Sequence, residues 1–239
     1  SNKKSLFRIN RMEGLEIVLL SAIFVIPIVD LVLEKYKFRS RSAEYIKITL
    51  MLWAITSILL YSFSQGALSV EPPMFFPSID WKGYLAIFIF IIFFVYIQYM
   101  IVSIKKNEDV RIHILKAFEE ENDSVDDLLP ESRKEFLLFT LLVSISAGIC
   151  EELIFRWYLY NFIELQSNWI IAVLGSSFIF GLWHLYLGWK HVIKTALVGA
   201  FLCGIYLFFE SIVIVIIAHI LMDVYSGTIA FYVKKASGS

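Results

Sequence analysis

Three short stretches carry the residue types that water-activating chemistry requires. AGICEELIFRWYLY, Ala147 to Tyr160, sets Glu151, Glu152 and Arg156 into an otherwise apolar run. FIFGLWHLYLGW carries Phe180 and His184, and IAHILMDVYSG carries His219 and Asp223. A carboxylate and an imidazole that share one water can remove its proton and deliver the oxygen to a peptide carbonyl, while further donors hold the oxyanion that forms. In so apolar a setting this would be hydrolysis inside a membrane.

The spacing says which charges can cancel. An ionised side chain at the centre of a bilayer-spanning helix costs about 2.5–3.5 kcal/mol, so three unpaired charges in one span would cost roughly 9 kcal/mol. Residues four apart share a helix face, which lets Glu152 pair with Arg156. Glu151 is rotated from Glu152 by about 100° and is the carboxylate left over. His184 follows Phe180 by four positions, so ring and imidazole stack, and His219 and Asp223 point together for the same reason. Taken singly, each has a plainer reading: a structural ion pair, or a histidine hydrogen-bonded within the core. Ionisable groups inside a membrane nevertheless face the bundle interior and mark functional sites, and here successive hydrophobic blocks each supply one.

The elements that must position these groups are membrane helices. The chain has 239 residues, 59% of them hydrophobic, and a mean hydropathy of +0.72, whereas soluble domains are nearer 45–50% apolar, about half. The expected fold is all-α, a polytopic transmembrane bundle of about seven helices, six to eight, around a buried polar cavity. Windows of about 20 apolar residues fall near Leu15–Leu33, Tyr45–Phe63, Gly83–Ile104, Phe136–Tyr160, Trp169–Leu187, Val192–Phe209 and Ile212–Tyr232. The first is the weakest, because Glu16, Pro27 and Asp30 interrupt it, and it equally fits an interfacial anchor. A cleaved leader fits less well, since no small-x-small site follows and the charged EKYKFRSRS does. The organisation is then N-terminal helices over 1–104, a charged connection over 105–135 and a membrane core over 136–233. Basic residues Lys35, Lys37, Arg39, Arg41, Lys105, Lys106, Arg111, Lys116, Arg133, Lys134, Lys190, Lys194, Lys234 and Lys235 gather in loops expected on one side, the cytoplasmic one, of a cell membrane. The net charge of -1 argues against a nucleic-acid partner. Cys150 and Cys203 lie in apolar runs and form no disulfide framework.

EELIFR, FGLWH and HILMD fit the patterns EExxxR, FxxxH and HxxxN/D, in the order in which they occur in the CAAX-processing and bacteriocin-processing (CPBP, ABI) intramembrane endopeptidases, which the chain resembles from about Phe136 to Tyr232. The resemblance implies that Glu151 and His184 activate water, that Glu152 and Arg156 shape the site, and that His219 and Asp223 stabilise the oxyanion. Asp223 stands where some members have asparagine, and an ionised aspartate cannot donate to an oxyanion. It would have to be protonated or to orient His219 instead. Trp157 follows the arginine where many members have glycine. The implied substrate is a membrane-associated peptide or protein met within the lipid bilayer: a prenylated CAAX terminus, a secreted peptide precursor or a C-terminal surface anchor.

Rival readings stay open at this level. Cys150 beside Glu151 could be a nucleophile paired with His184. Zinc held by Glu151, His184 and His219 suits the ligand types, but no HExxH pair presents two histidines on one helical face, which favours a mechanism with no cofactor and no metal. Outside enzymology, the same residues would serve a non-catalytic immunity or partner-binding protein of this type, or a proton-coupled transporter.

Overall fold

The computed structural model describes residues 2–33, 40–119 and 128–237, and every regular element in them is helical. In chain order these are α1 (Asn2–Leu33), α2 (Arg41–Ser64), α3 (Asp80–Lys106) and α4 (Glu108–Glu119). They continue with α5 (Arg133–Gln166), α6 (Trp169–Leu182), α7 (Trp189–Phe209) and α8 (Ile212–Ser237). Among the described residues five helices, α2, α3, α5, α7 and α8, are long and apolar enough to cross a bilayer, and the apolar stretches Gly14–Val29 and Trp169–Leu182 are shorter. The expected all-α membrane bundle of about seven apolar helices is therefore the observed architecture. Large apolar side chains face outward along it, Phe88, Ile91, Phe94 and Val95 of α3 among them, as lipid contact requires. This is an integral membrane protein.

Local sequence explains the helix ends. Ser132 and Glu135 form a reciprocal capping box at the start of α5, each side chain accepting from the other's backbone N–H at 3.2 and 2.9 Å. Asn168 caps α6 by accepting from the N–H groups of Ile170 and Ile171. Asn107 leaves the helical region after α3, and its side chain then accepts from Asp109 N–H at the head of α4. The connection over 105–135 is thus partly helical; residues 120–127 of its acidic run lie outside the described residues, as do Lys35, Lys37 and Arg39.

One predicted span is too long. The window Trp169–Leu187 stops as a helix at Leu182, and a single 3-10 turn, Leu185–Leu187, follows. Gly188, at φ 95 and ψ 163, sets the turn; any other residue there would be strained. Hydropathy cannot register such a break, because LWHLYLGW stays apolar through it.

By compactness the chain falls into two units. One comprises Ser1–Lys37, Leu50–Pro73 and Cys150–Gly204, the other Phe38–Thr49, Met74–Ile149 and Ile205–Ser239. In the second unit α3 and α4 pack on α8 around Ile104, Ile229 and Val233. The ring of Phe136 stacks on Phe231 at 4.8 Å. The corner between α7 and α8 turns at Glu210, a non-glycine residue at φ 52. The segment ahead of α3 holds that corner: Ile212 N–H donates to Met74 O at 2.8 Å, and Ser211 Oγ donates to the Phe75 carbonyl. Ser78 Oγ and Lys82 Nζ both donate to Glu210 Oε2 at 3.0 Å, and these bonds hold the Glu210 carboxyl below its usual pKa. Glu131 is likewise depressed by donation from Arg41, at 2.7 and 3.0 Å, and from Lys234 at 3.1 Å.

Candidate active site

Glu151, Glu152, Arg156, Phe180 and His184 all belong to the first unit, and His219 and Asp223 to the second. In the first unit α5 supplies the charges. The ladder of α5 widens to a π-helix over Leu153–Leu159, immediately after the two glutamates. Such widened turns recur at functional sites. The Asn161 side chain donates to the Trp157 carbonyl and so satisfies part of the loosened backbone.

Glu152 and Arg156 form the expected pair, Nη1 to Oε1 at 2.9 Å, with side chains 0% and 2% exposed. The arginine has further partners that its sequence spacing does not reveal. Its Nη2 donates to the Gly199 carbonyl of α7 at 3.3 Å, and its guanidinium lies over the Phe180 ring, 4.3 Å from the centroid. A Cβ on Gly199 would meet Phe180 at 3.0 Å. Glycine at 199 therefore brings α7 close enough for its carbonyl to reach the arginine. Burial of a charged pair costs less when further groups share its charge, and the Gly199 carbonyl and the Phe180 ring face both do so for Arg156.

Phe180 connects the pair to the histidine. Its ring centroid is 5.2 Å from that of His184 and 5.1 Å from that of Phe155, the latter edge-on. The two rings are neighbours as expected but are tilted by 58° rather than stacked, because His184 has left the helix at φ -103 and ψ 17. Its Nδ1 lies 3.1 Å from the Phe180 carbonyl oxygen. A carbonyl only accepts, so Nδ1 carries the proton, and in the neutral ring Nε2 is the basic nitrogen.

Glu151 is 8% exposed on α5, and adjacent Cys150 is fully buried. Thr56, equally buried, donates its hydroxyl proton to the Leu52 carbonyl at 2.9 Å. That is the environment of a small core residue. In the second unit His219 Nε2 and Asp223 Oδ2, one helical turn apart, are separated by 3.8 Å. This is beyond a direct hydrogen bond but within reach of an ion pair when the imidazole is charged. No three His, Cys, Asp or Glu side chains among the described residues gather at metal-ligand spacing.

Two tryptophan roles are not evident from residue type. Trp157, which stands where many members of the resembled family have glycine, donates Nε1–H to the Glu71 carbonyl at 2.8 Å and packs edge-on against Phe63 at 5.1 Å. Trp183 donates Nε1–H to the Ile23 carbonyl at 2.9 Å. Gly181 and Gly199 do permit close helix approach, whereas Gly204 has nothing within 4 Å of the position of its Cβ.

Residues 133–225 match the family model described as Type II CAAX prenyl endopeptidase Rce1-like. The matched stretch contains all three motifs and every candidate site residue named above, and it agrees with the resemblance to the CAAX-processing and bacteriocin-processing endopeptidases. No curated protein and no solved structure matches the chain.

Proposed function

We propose that this chain, similar over residues 133–225 to CAAX prenyl endopeptidases, is an intramembrane endopeptidase that hydrolyses a membrane-associated peptide or protein. The observation that carries the reading is the family match, whose span holds Glu151 and His184 together with the buried Glu152–Arg156 pair. Glu151, one position before Glu152 on the same helix, is the acidic group assigned to the chemistry. In this reading Glu151 and His184 Nε2 take the proton of one water, and the oxygen attacks the scissile carbonyl carbon. The proton then passes to the departing amine as the C–N bond breaks. The family resemblance assigns stabilisation of the tetrahedral oxyanion to His219 by donation, with Asp223 either sharing that work in its protonated form or orienting the imidazole. Glu152, Arg156 and Phe180 hold the first two groups in place.

The reaction as proposed uses neither metal nor cofactor. Cleavage by purified protein should persist in the presence of a chelator; loss of activity restored by added zinc would contradict that part of the reading. The basic loops are assigned to the cytoplasmic side, so the peptide would be met near the cytoplasmic leaflet of the cell membrane. Substrates of the three kinds that fit are prenylated termini, secreted peptide precursors and C-terminal anchors.

The test is a comparison of new protein termini in membranes from wild-type cells and from cells carrying Glu151→Gln at equal abundance. A defined set of termini should vanish in the variant. An unchanged set, or a biological effect that survives without any cleavage, would overturn the enzymatic reading in favour of a binding role.

A further inference from the structure

Pro27 lies inside α1. Proline has no backbone N–H, so the carbonyl four residues earlier, that of Ile23, loses its helical donor. Ile23 is fully buried, and a carbonyl away from water must find a partner or cost free energy. In membrane helices a neighbouring element can re-satisfy such a freed group. Here Trp183 does so, donating Nε1–H to the Ile23 carbonyl at 2.9 Å.

Trp183 directly precedes His184, at the end of α6. Its ring packs edge-on against Phe155 of α5 at 4.9 Å, and α1 also packs on the 3-10 turn that follows the histidine. A second fastening lies two helical turns earlier on the same face of α1. There Glu16 accepts from Ser69 N–H at 3.0 Å, from Ser69 Oγ at 2.8 Å and from the Tyr158 hydroxyl at 3.4 Å. Between the two fastenings Leu19 is completely buried. All of these residues belong to the first unit.

We infer that Pro27 and Trp183 are positioning residues: the proline vacates the Ile23 carbonyl, and the indole docked on it fixes the turn that presents His184. The inference rests on the reading of His184 as a water-activating base. It gives the first apolar segment, which lies outside the family match, a task in the reaction. It also explains why a helix-weakening proline is useful there. The same carbonyl in an unbroken helix would be committed to its own ladder.

The experiment compares purified full-length wild type, Trp183→Phe and the double variant Trp183→Phe with Pro27→Ala, on a substrate recovered from the terminus comparison. Phenylalanine keeps a ring against Phe155 but removes the donor. Alanine at 27 returns an N–H to the Ile23 carbonyl without restoring the tether. In the single variant kcat should fall about tenfold with KM nearly unchanged, the Tm should fall, and hydrogen exchange should quicken over residues 184–188. In the double variant the Tm should recover while kcat stays low and exchange stays fast. Recovery of kcat together with Tm would reduce the contact to a structural one and overturn the inference, as would wild-type exchange over 184–188 in the single variant. Should the wild type cleave nothing, the protease reading fails, and exchange over 184–188 decides the tether by itself.

Discussion

Arg156 meets Glu152 at 2.9 Å with both side chains almost inaccessible, whereas Arg41 meets Glu131 at 2.7 Å with about half of the glutamate side chain exposed, 47%. The distances are alike and the consequences differ. The Arg41 pair lies in the second unit, shares Glu131 with Lys234 and is screened by its surroundings, so its contribution is of the surface kind, about 0.2–1 kcal/mol. At the inaccessible position of the Glu152–Arg156 pair an unpaired charge would have no water to turn to. The Gly199 carbonyl and the Phe180 ring add to the arginine's contacts, which makes the pair a fixed part of the region that holds Glu151 and His184. One unit uses charge to fasten its periphery; the other uses it to hold a polar interior in one arrangement.

The sharpest way to break this comparison is to remove one member of each pair. Arg156→Ala leaves Glu152 buried without its counter-ion and should cost about 3–5 kcal/mol, read as a large fall in Tm in detergent or as loss of folded protein from the membrane. Arg41→Ala should lower the Tm far less. Glu152→Gln with Arg156→Met should recover much of the stability lost in Arg156→Ala, because the stranded charge is gone. If the two single variants lost equal stability, burial would not be what separates the regions.

The two corners give the next effect in size. Gly188 turns the chain after His184 at φ 95, while Glu210 turns it between α7 and α8 at φ 52. Gly188→Ala should cost about 1–3 kcal/mol and lower kcat as well, because the turn carries the histidine. Glu210→Gly should move the Tm less, since relief of the backbone offsets the lost contacts to Ser78 and Lys82, and it should leave kcat unchanged.

The smallest effect is one of pH. Glu131 and Glu210 both have pKa values depressed in the folded protein. Their contribution is therefore present above the unfolded carboxylate value of about 4.3 and is lost as pH falls through the lower folded values. The Tm gap between wild type and Glu131→Gln should be open near pH 7, about neutral, and should close under acid conditions. A gap that widened on acidification would show that the carboxylate is not held in its charged form.

Much of this arrangement could be read before any coordinates. Apolar runs of sufficient length identify α2, α3, α5, α7 and α8, and the four-residue spacing is enough to pair Glu152 with Arg156 and to bring Phe180 beside His184, though not to fix the tilt between their rings. What escaped depends on contacts distant along the chain or on backbone detail. Pro27 marks α1 as a weak helix, yet nothing in the chain says that Trp183, far away in sequence, supplies the missing donor. Likewise the wide turn over Leu153–Leu159 has no compositional signature, and Gly188 in an apolar stretch looks like any small residue of a membrane helix. Gly204 shows the converse: it looks like a packing glycine and meets nothing.

The central claim is that Glu151 and His184 act on one water. Single-turnover cleavage by purified wild type, Glu151→Gln, His184→Ala and the double variant tests it most directly. Groups that work as a unit are non-additive, so each single variant should lose nearly all of the rate and the double should be no slower than either. Rates that multiply, or a Glu151→Gln protein that cleaves at the wild-type rate, would contradict the account.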